Sequence, residues 1–86
     1  ANDFMKFFVE FGAMKEQAPE ADEVQKQVKK LQDYITEHYY NCTKTILSGL
    51  GKMYASGGEF TENIDKAGGE GTAEFSARAI EIFCGE

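Results

Sequence analysis

In DEVQKQVKKLQDYITEHYY, residues 22–40, the aliphatic residues Val24, Val28, Leu31 and Ile35 recur at spacings of four, three and four. A helix of 3.6 residues per turn gathers those positions on one face, whereas a strand of period two would scatter them. Pro19 marks the boundary upstream, and Glu20, Asp22 and Glu23 suit the positive end of the helix dipole. Lys26, Lys29 and Lys30, the only basic cluster, fall on the opposite side and read as a solvated face.

The same period continues outward. Upstream, from about Asn2 to Met14, Phe4, Phe7, Phe8 and Phe11 with Met5 and Met14 recur at threes and fours, which predicts a short helix whose aromatic face meets the core. Downstream, the long helix is expected to reach about Tyr40, where Asn41, Cys42 and Thr43 interrupt it. Thr43 is a candidate N-cap for a third helix carrying Ile46, Leu47, Leu50 and Met53. The apolar stripe also runs through Cys42, so one continuous helix is the alternative.

Gly57 and Gly58 end the third helix, a fourth is expected from about Phe60 to Lys66, and Gly68, Gly69 and Gly71 form the next turn. The last helix starts near Thr72 and presents Phe75, Ala79, Ile82 and Phe83 on one side, with Glu74, Arg78 and Glu81 on the other. No segment alternates with period two, so the fold class is all-α, a compact bundle of about five short helices in a single domain spanning residues 1–86.

Composition removes several function classes. With 15 acidic against 9 basic residues and a net charge of −6, the chain lacks the clustered cations that bind nucleic-acid phosphates. It has no apolar run of roughly 18 residues and no basic amphipathic stretch, so no membrane partner is expected. Two cysteines are too few for a disulfide scaffold, and a reducing, cytoplasmic setting is the expectation.

Catalytic chemistry finds little support. A nucleophilic cysteine needs a base, and the one pairing on offer is His38 with Cys42, on opposite sides of the expected helix break. His38, Cys42 and Cys84 do not have the spacing of a zinc site, haem ligation would rest on a single histidine in a short chain, and the glycines form no phosphate-cradling motif. No enzyme activity, metal or cofactor is expected.

Two glycines, Gly49 and Gly51, lie inside the third helix, where each costs roughly 1 kcal/mol against alanine. Close approach of another helix or of a ligand would offset that. Around them gather Tyr39, Tyr40, Cys42, Ile46, Met53, Tyr54, Phe60 and Ile64, amphipathic and adaptable side chains that suit a cleft for a large flat apolar ligand, although composition alone favours a core.

The run HYYNCTKTILSGLGKMYASGGEFTENIDKAGGEGTAEFSARAIEIF, from His38 to Phe83, resembles the C-terminal effector domain of TipA-type members of the MerR family of transcription regulators. The resemblance is carried by HYYNC, by GLGKMY, by FTENID with its following glycines, and by the AEFSARAI helix. It implies a globin-like helical domain that binds thiopeptide antibiotics or other bulky lipophilic drugs. Binding would be relayed through a coiled coil to a winged helix-turn-helix in a homodimer, switching on drug-resistance or efflux genes. Neither DNA-binding element is expected in this chain, which would be the sensor half.

The resemblance further implies a cleft lined by Tyr39, Tyr40, Asn41, Cys42, Ile46, Gly49 and Met53, with Phe60, Asn63 and Ile64 on the facing helix. Asn63, able to donate and accept hydrogen bonds, is its expected polar member. The position of the family's covalent-capture cysteine falls at Gly49, so binding is expected to be reversible and the cleft wider there. The rival readings are a helical interaction or self-association module and a small thiol enzyme. A cleft rimmed by Tyr39, Met53 and Asn63 would mark a sensor, a flat apolar patch an interaction module, and a Cys42 thiol of lowered pKa an enzyme.

Overall fold

The computed structural model of the chain describes residues 3–85, and the helix start expected at Asn2 falls outside them. Five helices follow one another: α1 (Asp3–Ala13), α2 (Asp22–His38), α3 (Lys44–Tyr54), α4 (Glu59–Gly68) and α5 (Thr72–Phe83). No strand occurs among the described residues. The fold is all-α, with a radius of gyration of 11.5 Å, close to the roughly 12 Å of a compact chain this long.

The stripe of α2 forms the centre of the core, where Val24, Val28, Leu31 and Ile35 are all buried. Phe8 and Phe11 of α1, Leu47 and Tyr54 of α3, Ile64 of α4, and Ala73, Ala79 and Ile80 of α5 close around it. The aromatic face of α1 divides: Phe8 and Phe11 have no exposed surface, while Phe4 and Phe7 are half-buried at the edge. Ile80, absent from the expected face of α5, is buried, whereas Phe75, Ile82 and Phe83 stay half-buried.

α2 stops at His38 and no continuous helix runs through Cys42. The amides of Tyr39 and Tyr40 both bond back to the Ile35 carbonyl, and Thr43 then caps α3, its Oγ1 accepting from the Ile46 amide at 3.2 Å. Two α2 side chains hold the connection between these ends: Thr36 Oγ1 accepts from the Cys42 amide at 3.0 Å and Gln32 Nε2 donates to the Cys42 carbonyl at 2.9 Å. Each satisfies a backbone group that no helix serves.

α1 packs across α4 with almost no side chain between them. A Cβ on Gly12 would run into the backbone of Gly68. A Cβ on Gly68 would meet the Phe8 carbonyl and lie 2.6 Å from Thr72 Oγ1. The chain then reverses at Gly69 and Gly71, both at positive φ, and Asp65 Oδ1 accepts from the Ala73 amide at 2.8 Å to start α5. A further polar tie joins α1 to α2. Buried Gln27 donates to Glu10 Oε1 at 2.7 Å and to the Phe7 carbonyl at 3.3 Å.

The two glycines inside α3 differ. A Cβ on Gly51 would sit 2.9 Å from Ile80 Cγ2, so that glycine admits α5. Gly49 has open space around it. We therefore expect Gly49→Ala to stabilise the domain by about 0.5–1 kcal/mol through helix propensity. Gly12→Ala should cost at least about 2 kcal/mol, because backbone atoms cannot yield as a side-chain tip can. Urea unfolding monitored by circular dichroism measures both.

Candidate functional site

The ends of α2 and α3 and the starts of α1 and α4 converge on one apolar cleft. Its walls are Phe4 from α1, Ile35 from α2, Tyr39 and Tyr40 from the connection, Leu50, Met53 and Tyr54 from α3, and Phe60 from α4. It holds about 220 Å³ and opens to solvent on one side. Local sequence explains its shape. The early stop of α2 throws two consecutive tyrosines off the helix, and the Gln32 and Thr36 bonds to Cys42 fix where they stand.

The floor is a packed aromatic cluster. Tyr54 is fully buried, with its ring stacked on Phe60 at 5.2 Å between centroids and edge-on to Phe8 at 5.2 Å. Phe4 meets Phe8, Phe60 and Tyr54 edge-to-face at 5.4, 6.2 and 6.3 Å. Such contacts add to the value of the buried area and hold the rings rigidly. The rim is looser: Tyr39 is 62% exposed, Tyr40 50%, Met53 42% and Phe60 36%. A stiff floor beneath a partly exposed aromatic rim can accept a flat apolar group with little reorganisation.

Of the residues that the sequence puts forward, the fold brings Tyr39, Tyr40, Met53 and Phe60 together on the cleft. Asn63 lines a shallow neighbouring depression with Phe4, Met5 and Phe60, on α4 one turn beyond Phe60. Asn41 and Ile46 are exposed but do not line the cleft. Gly49 is exposed away from it, so its missing side chain does not widen it. Cys42 and Ile64 are core residues, 3% and 0% exposed.

Sequence reading did not assign Phe4, Ile35 and Leu50 to this site. Each continues a helical apolar stripe, and a stripe does not say where along its length the core ends and a cleft begins.

The break after α2 separates His38, exposed and 4.4 Å from the Tyr34 ring, from buried Cys42. Burial pushes the Cys42 thiol up from its ordinary value, with the Cys84 sulfur adding to the effect, which is the reverse of nucleophile activation. Among the described residues no group of three or more His, Cys, Asp or Glu side chains could hold a metal ion. Nor is any helix among them long and apolar enough to cross a membrane. Lys26, Lys29 and Lys30 are exposed on α2, with Lys29 paired to Asp33 at 3.1 Å.

The chain is matched over residues 1–83 by the family model of the TipAS antibiotic-recognition domain. The match takes in α1 and α2 as well as the His38–Phe83 run. The HTH-type transcriptional activator mta of Bacillus subtilis (strain 168) is 34% identical over 82 residues, covering 95% of this chain and 32% of that protein. The chain thus spans about a third of the length of this curated relative. No solved structure matches it.

Tyr54 beneath the cleft and Cys42 in the core give the domain a pH signature. Burial raises both groups above their ordinary values of 10.0 and 9.0, so the folded state binds their protons more tightly than the unfolded chain does. Stability is therefore fullest below the unfolded values and falls as pH rises past them. Thermal melts across the alkaline range should show a falling Tm, and Tyr54→Phe should lessen the slope at its upper end.

Proposed function

The chain belongs to the TipAS antibiotic-recognition domain family, and from there we propose that it is the drug-sensing C-terminal domain of a MerR-type transcription activator. Ligand-sensing domains of transcription regulators, as distinct from enzymes, are what this family supplies. The observation that carries the reading is the aromatic cleft: five rings, Phe4, Tyr39, Tyr40, Tyr54 and Phe60, around about 220 Å³ open to solvent.

That volume encloses one fused or linked ring system, below the roughly 300–1,000 Å³ typical of sites that swallow a drug-sized molecule whole. A bulky lipophilic or thiopeptide-type antibiotic would seat one aromatic group on the Tyr54 floor. Its remainder would lie across the exposed rim of Tyr39, Met53 and Phe60, with Asn63 within the same stretch of surface for its amides. Binding is reversible in this reading, because Gly49 offers no thiol and the Cys42 thiol is buried.

Occupancy would order Tyr39 and Tyr40 against the ligand, and both stand on the segment that joins α2 to α3. In the whole protein this signal would pass to a winged helix-turn-helix through a coiled coil, in a cytoplasmic homodimer that turns on resistance or efflux genes. The Bacillus relative, an HTH-type transcriptional activator about three times as long, supports that wider arrangement.

An amide-shift NMR titration with a thiopeptide and, separately, an unrelated lipophilic drug tests the proposal. Saturable shifts should cluster at Tyr39, Tyr40, Met53 and Phe60 and spare Val9 on α1. Tyr39→Ala should weaken binding roughly tenfold through the lost aromatic contact. If those signals stay still with drug and move instead with protein concentration, the face is a self-association surface and the sensor reading fails.

A further inference from the structure

The lining of the cleft also bears on ligand charge. Its eight side chains include no Lys, Arg or His and no Asp or Glu, so no ion pair selects the ligand. Charge recognition there falls to the rings. The faces of Tyr and Phe are regions of negative potential that attract an organic cation, whereas an anion meets no cationic group among these side chains, only the neutral tyrosine hydroxyls.

The sequence on either side of the lining residues is weighted towards acids. Within two positions of a lining residue stand the acids Asp3, Asp33, Glu37, Glu59 and Glu62 and the bases Lys6, Lys52 and His38. Asp3 is paired with Lys6 and Asp33 with Lys29, while Lys52 lines a separate depression with Glu74, Arg78 and Glu81. Glu59 and Glu62 occupy the first turn of α4, where they offset the partial positive charge of the helix start beside Phe60. The whole chain carries −6, so the long-range field also draws cations in.

Desolvation decides which cations profit. A compact ammonium would lose too much hydration in an apolar cleft, whereas a permanent charge spread over an aromatic or quaternary centre is weakly hydrated and gives up little. The open side of the cleft, with Tyr39 and Tyr40 at least half exposed, leaves part of such a cation in water.

Resting on the reading of the cleft as the ligand site, we infer that it selects lipophilic organic cations: flat aromatic bodies with a permanent delocalised or quaternary positive charge. Hydrophobic burial serves a neutral isostere equally well, so the difference between the two isolates the contribution of the rings and the acidic field.

The experiment compares 1-methylquinolinium with its neutral isostere 1-methylnaphthalene, following the amides of Tyr39, Tyr40, Met53 and Phe60. At low salt the cation should bind roughly tenfold more tightly. Replacing the two rim rings (Tyr39→Leu with Tyr40→Leu) should weaken the cation more than the hydrocarbon, so that the ratio of the two affinities falls severalfold. Equal or tighter binding of the hydrocarbon overturns the cation assignment and leaves the cleft a ligand site. If neither compound shifts these amides, the ligand-site reading falls and this inference with it.

Discussion

Gly12 and Gly68 let the backbones of α1 and α4 touch, and the arrangement of the aromatic cluster follows from that contact. With the helices this close, Phe4 and Phe8 on α1 reach the rings of Tyr54 and Phe60 across a short gap. Adding a single methyl group at either glycine would separate the helices, since the obstructing atoms belong to backbone and cannot turn aside. Thr72, fully buried against the same point, brings the start of α5 into the junction. Three helices therefore depend on one small area to which α1 and α4 bring no side chain and α5 brings Thr72.

The cleft depends on a second constraint, at the opposite end of the molecule's logic: an interruption. Had α2 continued into α3, Tyr39 and Tyr40 would have pointed along the regular directions of a helix surface. Because it stops, the backbone of Cys42 needs partners, and Thr36 and Gln32 supply them from the last turns of α2. The tyrosines are thereby carried to the mouth of the cleft by a segment whose backbone is held at Tyr39, Tyr40 and Cys42 while the two tyrosine side chains stay largely exposed. A fixed floor of Tyr54, Phe8 and Phe4 beneath a more exposed rim is an arrangement in which ligand occupancy and the geometry of one connection are coupled.

The aromatic richness that makes this cleft also disguises it in the sequence. Cys42 and Ile64 carry the same apolar character as Met53 and Phe60, yet the former pair closes the core and the latter faces solvent. The reverse holds for polar residues. Gln27 lies on the helix that best displays an apolar face, and its burial is made tolerable only by acceptors on α1, the Phe7 carbonyl and the Glu10 carboxylate. Gly49 and Gly51 look alike in the chain and differ only because Ile80 lies against one of them.

The features legible along the chain are local: five helices, the apolar stripe of α2, the Thr43 cap, the glycine-rich reversal before α5 and the aromatic face of α1. These follow from helical period, capping and backbone freedom, which act over a few residues and can be read in order along the chain. The HYYNC and FTENID segments also carried the family resemblance, which the match over residues 1–83 extends to the first two helices. Packing between remote segments sets Gly12 against Gly68, makes Phe4 and Leu50 walls of a cleft, and withdraws Cys42 and Ile64 from it. The physical reason is distance along the chain: close approach and burial depend on which remote segment arrives, and no residue encodes its partner's position alone.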